Sequence, residues 1–372
     1  MTVFRGMLDI FRRVDWILMA VVTLLCGFGM VELYSLAASD QPPDFSRFTR
    51  QVIAIAIGVV GIMVLMILNY RWLSSIAPIL YATAIVLLVL VLVIGVEIRG
   101  TVGWLSIGGF SIQPVEFVKV FLIVYFARFF SERSDHLHEW RTILWSIAIL
   151  VLPTVLVLLQ PDLGSGMMIV AIWLGMLAIT KIRRVQLTAI VAALIAVGVL
   201  AFFFALNAEQ QSRLLVFLDQ DNPDYAFGIG YHVDQSITAI GSGEWNGRGL
   251  GLGPQSQLNF LPEQETDFIF AVIGEELGFL GAMTLVMLLV ACLFRIARSA
   301  MNTRDDFAVF LCWGVFTFIF VQSFINIGMN LGIAPVTGLP LPFISGGGTS
   351  MIAVLACIGI VQSVFVRRNQ LG

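Results

Sequence analysis

Residues 258–270 read Leu-Asn-Phe-Leu-Pro-Glu-Gln-Glu-Thr-Asp-Phe-Ile-Phe, with three carboxylates (Glu263, Glu265, Asp267) inside five positions, and a largely apolar run follows over 268–295. A run of that length can span a bilayer, which takes about 20 mostly apolar residues. Charge at the mouth of hydrocarbon is costly, so an ionisable cluster there marks a functional site by default. Asp267, the last carboxylate before the run, is the first candidate for chemistry.

The rest of the chain agrees. Of 372 residues, 59% are hydrophobic and 12% charged, against about a quarter charged in soluble domains. That much apolar surface calls for lipid as solvent. The same window predicts about ten helices, roughly at 15–38, 50–68, 72–96, 114–131, 142–159, 164–180, 185–206, 268–295, 306–330 and 346–366. The fourth is interrupted by Glu116, Lys119 and Arg128. Backbone in lipid must satisfy its own hydrogen bonds, so these segments are expected to be helical. The expected fold is an all-α polytopic membrane protein, one integral membrane domain over 1–372 with no separate soluble domain. The first apolar run lacks a small-residue cleavage signal and reads as a retained span. Cys26, Cys292, Cys312 and Cys357 all lie in apolar runs and imply no disulfide framework.

Fifteen Lys and Arg fall on one side of these spans. Arg47, Arg50, Arg99, Arg213 and Arg248 fall on the other, and Lys119 lies within a span. The positive-inside rule then makes both termini cytoplasmic. Thirteen acids crowd the outer side, which also carries a long loop at about 207–266. Long loops are functional or disordered, and this one is rich in Gly, Trp, Tyr and Phe, which argues for order. Chemistry is therefore expected on the outer face.

Several constellations have both a structural and a functional reading. Gln113-Pro114-Val115-Glu116 and Gln160-Pro161-Asp162 each place a proline at an expected first helical position and an acid in the first turn, which suits helix starts. Lys119 follows Glu116 at i+3 on the same face, as a structural ion pair or as the lining of a polar cavity. Trp104 reads as an interfacial belt residue, whereas Arg99 offers a fork donor to an anionic headgroup. Ser345-Gly346-Gly347-Gly348-Thr349-Ser350 opens the last helix, either as an anion-holding set of amides or as a tight turn. Gly247, Gly249, Gly251 and Gly253 lack the strand and the Gly-Lys-Ser/Thr of a nucleotide loop. No His-Glu-x-x-His or paired Cys-x-x-Cys is present. A divalent cation held by outer carboxylates stays open.

These motifs resemble the shape, elongation, division and sporulation (SEDS) family of polytopic polymerases over essentially the whole chain. The resemblance rests on Arg99-Gly100-Thr101 with Trp104, Gln113-Pro114 with Glu116 and Lys119, and Gln160 to Gly164. It continues through Gln235-Ser236 with Ala239 to Gly243, Gln255 to Glu276, and Pro335 to Pro342. Gln255 to Glu263 and Pro335 to Pro342 look like the elongation member rather than the divisional one. Val115 stands where the family usually has serine, Ser165 where it has threonine, Glu244 where it has glycine and Gly346 where it has tyrosine. Glu265 stands where a histidine usually precedes Thr-Asp.

The resemblance implies a peptidoglycan glycosyltransferase of the cytoplasmic (inner) membrane that joins lipid II units on the extracytoplasmic face. Its implied partners are a class B penicillin-binding protein and the elongation machinery, and no nucleic acid. Such a transfer needs a base for a sugar hydroxyl and cations for a departing diphosphate. Asp267 is the expected base. Arg99, Lys119 and Arg213 are the expected diphosphate cations. Glu116 and Asp162 would hold those cations or shape the cavity, and Trp104, Gln235 and Ser345 complete the expected substrate contacts. In extended backbone Glu265 and Asp267 point to one side, so repulsion is expected to raise the proton affinity of one of them. A flippase of lipid-linked precursor and a scaffold that only recruits a crosslinking enzyme are the competing readings. The flippase would show polar groups along a path to both faces and a broken helix.

Overall fold

The computed structural model describes residues 11–39, 42–98, 100–107, 110–204, 206–219, 228–258 and 260–368. The predicted helices are there, close to their expected bounds. In chain order they are α1 (Trp16–Ser39), α2 (Ser46–Ile67), α3 (Tyr70–Ile94), α4 (Pro114–Ser131), α5 (Trp140–Leu158), α6 (Leu163–Ala178) and α7 (Arg184–Phe204). After the long loop come α11 (Ile269–Met301), α12 (Asp306–Asn330) and α13 (Gly348–Arg367). Eight of the described helices are long and apolar enough to cross a membrane; α6 is shorter, and α4 carries three charges.

Helix α4 explains how those charges are tolerated. It is buried along most of its length, among α3, α6, α12 and α13. Helix α13 is likewise enclosed and packs along α2, whereas α7 buries only Gln186 and Ile190. The core thus surrounds the most polar span, and the most uniformly apolar helices face outward. That is the order expected when lipid is the solvent.

Two prolines lie inside spans, and each frees a carbonyl four residues earlier. Pro78 in α3 frees Ser74 O, which accepts Arg128 Nη1 at 2.9 Å; Pro153 in α5 frees Ile149 O, which accepts Tyr81 Oη at 3.0 Å. Neighbouring helices therefore supply the donors that lipid cannot.

The loops hold more structure than expected. Between α3 and α4 lies a small antiparallel sheet, β1 (Val96–Ile98), β2 (Thr101–Ile107) and β3 (Phe110–Ile112), in the order β1-β2-β3. Val96 pairs with Trp104 and Leu105 with Ile112. The described part of the 207–266 loop is largely helical, with α8 (Ala208–Leu218), α9 (Ile229–Ser242) and α10 (Pro254–Gln257). Asn207 caps α8 in a reciprocal capping box with Gln210.

The eighth expected span, 268–295, needs correction. Helix α11 is broken at Gly278, whose φ of 66° and ψ of −165° are not helical. Residues 269–277 form a buried arm, and 279–301 form the span proper, about 34 Å long at 1.5 Å per residue. The break frees backbone groups, and the glycine-rich segment takes them up. Arg248 N donates to Glu275 O and Gly249 N to Glu276 O, both at 2.9 Å. Phe279 N donates to Glu244 O at 2.9 Å and Leu280 N to Trp245 O at 3.2 Å. Gly247, with φ of 80°, sits so close that a Cβ there would lie 2.2 Å from Glu276 O. These glycines cradle a broken helix.

Candidate active site

The arm of α11 begins immediately after Asp267, and the turn before it sets where that carboxylate points. Glu263, at φ 55°, accepts through its carbonyl the N–H groups of Thr266, Asp267 and Phe268. The segment is therefore a tight turn. Glu265 pairs through its carboxylate with Arg47 on α2. The extended backbone expected over 265–267 is thus replaced by a turn.

Asp267 is held by its backbone. Asn326 Nδ2 and Asn330 Nδ2 each donate to Asp267 O at 3.0 Å. Asn330 Oδ1 accepts Ala271 N at 3.1 Å, which fixes the first turn of the arm. Asn326 Nδ2 also donates to Leu339 O at 2.8 Å, and Gln322 Nε2 to Pro340 O at 2.7 Å. Gln322, Asn326 and Asn330 thus form a stripe along α12 at intervals of four, all 0% exposed. One helix face positions both Asp267 and the Pro335–Pro342 loop. These three residues were missed in the sequence, although polar amides at i, i+4, i+8 inside a span are a readable signal.

Ser345 works from the other side. Its Oγ donates to Thr266 O at 2.5 Å and accepts Leu341 N at 2.7 Å, while Gly346 N donates to Glu265 O at 2.8 Å. The 345–347 segment forms a turn, with Ser345 N donating to Leu341 O at 3.0 Å and Gly347 N to Ser345 O at 2.9 Å. It clamps the backbone just before Asp267.

In front of Asp267 opens a cavity of about 380 Å³, within the range of ligand pockets. Its walls come from β2 (Thr101, Trp104), the start of α4 (Gln113, Glu116), α8 (Arg213), α9 (His232) and residues 336–340, besides Asp162, Glu263 and Asp267. Gly164 lets α6 pack onto the 336–340 wall, since a Cβ there would lie 2.5 Å from Thr337 O. Trp104, Glu116, Asp162, Arg213 and Asp267, expected from sequence to act together, do line one space.

Others do not line it. Lys119 is 0% exposed and lies beneath, its Nζ 2.8 Å from Glu116 Oε1 and 5.1 Å from the centre of the Phe318 ring. Glu116 Oε2 has no hydrogen-bond partner among the described residues, and Glu116 is the member of this pair that reaches the cavity. Gln235 is partly buried on α9 away from the lining, where His232 takes the place expected for it. Arg99 lies outside the described residues. Pro114 opens α4 as expected, but Pro161 precedes the helix, and Asp162 is the N-cap of α6, accepting Ser165 N at 2.9 Å. Its second oxygen accepts Gln113 Nε2 at 3.4 Å, so the cap also ties α6 to the start of α4.

The electrostatics are acid-rich. Among the described lining residues Arg213 is the one full cation, against Glu116, Asp162, Glu263 and Asp267. Burial holds the His232 imidazolium pKa below the usual 6.5, with the Glu263 charge opposing that shift. Among the described residues no three His, Cys, Asp or Glu groups converge to hold a metal ion. A divalent ion here would need two protein carboxylates and oxygens from a ligand, a common arrangement for Mg²⁺ on phosphates.

A polytopic helical bundle whose polar core opens into an acid-lined cavity defines an integral membrane protein with a built site. Comparison with known proteins narrows the class. The chain belongs to the FTSW_RODA_SPOVE family, described as "Cell cycle protein", whose model matches residues 15–370. It is 34% identical over 360 residues to the peptidoglycan glycosyltransferase MrdB of Escherichia coli K12, covering 96% of this chain and 95% of that one. It is 32% identical over 372 residues to a probable peptidoglycan glycosyltransferase FtsW of Trichlorobacter lovleyi, covering 96% of each. A solved structure concerned with coordination of polymerization and crosslinking by a peptidoglycan synthase complex superposes with a TM-score of 0.83. It is 29% identical and covers 96% of this chain and 99% of that one.

Proposed function

We propose that the protein is a peptidoglycan glycosyltransferase that polymerises lipid II, with Asp267 as the general base. The observation that carries this reading is Asp267 at the wall of a cavity of about 380 Å³, its main chain fixed by two buried asparagines. In the step proposed, a sugar 4-hydroxyl of one substrate attacks C1 of the other. Asp267 takes the hydroxyl proton, and the C1–O bond breaks with its electrons leaving on polyprenyl diphosphate. Fixing the base within hydrogen-bond reach is worth orders of magnitude in rate. Arg213 is the cavity cation for the diphosphate. Lys119 acts one layer back by orienting Glu116 at the cavity wall.

Membership of the family is shared by elongation and division proteins, and relatives of both kinds match at similar identity. The runs Gln255 to Glu263 and Pro335 to Pro342 support a RodA-type role in elongation and rod shape. By the positive-inside rule the cavity opens on the extracytoplasmic face of the inner membrane, and a class B penicillin-binding protein is the expected partner. One observation favours the flippase reading, since α11 is broken at Gly278. The 244–249 segment nevertheless occupies the freed groups, so the break offers no polar path.

The test supplies purified protein with lipid II in detergent, without a bilayer. Glycan forms, and Asp267→Asn abolishes it while melting like the parent. Polymerisation by Asp267→Asn at the parent rate refutes the assignment, and full activity in excess chelator removes the metal-bridged version. Depletion in cells separates the paralogues: rounding indicates elongation, and filamentation indicates division.

A further inference from the structure

The end of α4 opposite Glu116 borders a second cavity, of about 760 Å³. Arg128, Arg133 and Arg141 face it beside Glu132 and Glu139. Two of these cations are already engaged. Arg128 Nε lies 2.6 Å from Glu132 Oε1, and Arg133 lies 3.7 Å from the other Glu132 oxygen with its guanidinium 4.3 Å over the Phe129 ring. Glu139 accepts from His136 at 2.8 Å. Arg141 alone of the three has no hydrogen-bond or ion-pair partner among the described residues.

Arg141 also opens an adjoining groove of about 440 Å³, lined by Arg141, Leu144, Trp145 and Ala148. These positions run i, i+3, i+4, i+7 on α5 and form one helix face. Leu144 and Trp145 are 58% and 60% exposed, and Ala148 supplies the depression. The cation sits in the first turn of its helix, where the dipole disfavours it, and the N-cap acid Glu139 is paired with His136 rather than with Arg141. An unpaired cation leading into an apolar trough along a membrane-spanning helix matches an amphiphile with an anionic head and a hydrocarbon tail. A soluble acidic peptide would leave the trough uncovered.

We propose that this face binds a phospholipid with an anionic headgroup, its phosphate on Arg141 and an acyl chain along Leu144, Trp145 and Ala148. The site lies at the opposite end of α4 from the Asp267 cavity and does not depend on the reaction assigned there.

The experiment uses the full chain in detergent, counting bound lipid by native mass spectrometry and following thermal unfolding. Phosphatidylglycerol, phosphatidylcholine and soluble glycerol phosphate are the three probes. Phosphatidylglycerol binds about fivefold more tightly than phosphatidylcholine, the factor one interfacial cation supplies. Arg141→Gln removes that preference, and Ala148→Phe fills the trough and weakens both lipids. Arg184→Gln, an exposed cation at the start of α7, leaves the preference intact. The proposal is overturned if the parent shows no preference, if Arg141→Gln keeps it, or if glycerol phosphate stabilises as well as the lipid.

Discussion

Replacing Gly278 by alanine tests whether the break in α11 is what holds Asp267 in place. The backbone at φ 66° and ψ −165° lies in a region that is essentially glycine-only, and holding another residue there costs about 1–3 kcal/mol. The new Cβ would lie 2.3 Å from Gly247 N and 2.8 Å from Trp245 O. Both are backbone atoms, so no flexible side chain can yield. Relieving the overlap separates the arm from the 244–249 segment and breaks pairs such as Gly249 N to Glu276 O. Each buried group left unsatisfied costs about 1–3 kcal/mol. Losing that pair leaves one buried group, Glu276 O, unsatisfied and brings the total to about 2–6 kcal/mol, at the upper end for a single substitution. The assay is thermal unfolding in detergent together with glycan formation from lipid II. Gly278→Ala is expected to melt several degrees lower and to lose most activity. Gly27→Ala is the control, because a Cβ at Gly27 meets nothing within 4 Å. Alanine there should be neutral or stabilising by up to about 1 kcal/mol. If Gly278→Ala melts and polymerises like the parent, the break does not position the arm.

Asn330→Ala strips one donor from Asp267 O and the acceptor of Ala271 N. It should lower stability by about 1–3 kcal/mol and reduce turnover more than substrate affinity, a split that steady-state kinetics reads. Glu265→His removes the pair with Arg47, a residue about half exposed, so stability should change by less than about 1 kcal/mol. Because Arg47 engages the Glu265 carboxylate, the pH profile of activity should not move; an alkaline profile of the parent relative to this variant would show that Glu265 and Asp267 repel. His232 has a folded pKa below 6.5, so between the folded value and 6.5 the unfolded chain binds more protons. Stability should then rise with pH through that window and fall on acidification. Acid melting curves should show His232→Gln losing part of this sensitivity, and an identical pH dependence would dispose of the buried-histidine account.

Much of the fold is legible in the chain because a bilayer imposes one simple rule: long apolar runs become helices. The expected runs for α1 to α7, α12 and α13 therefore land near their observed bounds. Glu116, Lys119 and Asp267 also announce themselves, since charge in or beside hydrocarbon is rare. Other features were out of reach for a local reason. Gly278 sits in a run that is apolar apart from Glu275 and Glu276, and only contact with the 245–247 backbone, some thirty positions earlier, makes its conformation necessary. Nothing in Glu-Gln-Glu-Thr-Asp itself demands the turn at Glu263. It is set by Ser345, Gly346 and the asparagines of α12, all distant in sequence.

The residues 258–270 by themselves singled out Asp267 as a carboxylate beside an apolar run, because the cost of charge beside hydrocarbon depends on composition alone. Which carboxylates would share a space was decided only by the tertiary structure. Burial and hydrogen bonding are properties of surroundings, and the surroundings turned Glu265 to Arg47, sank Lys119 beneath Glu116, and brought Arg213 and His232 to the cavity.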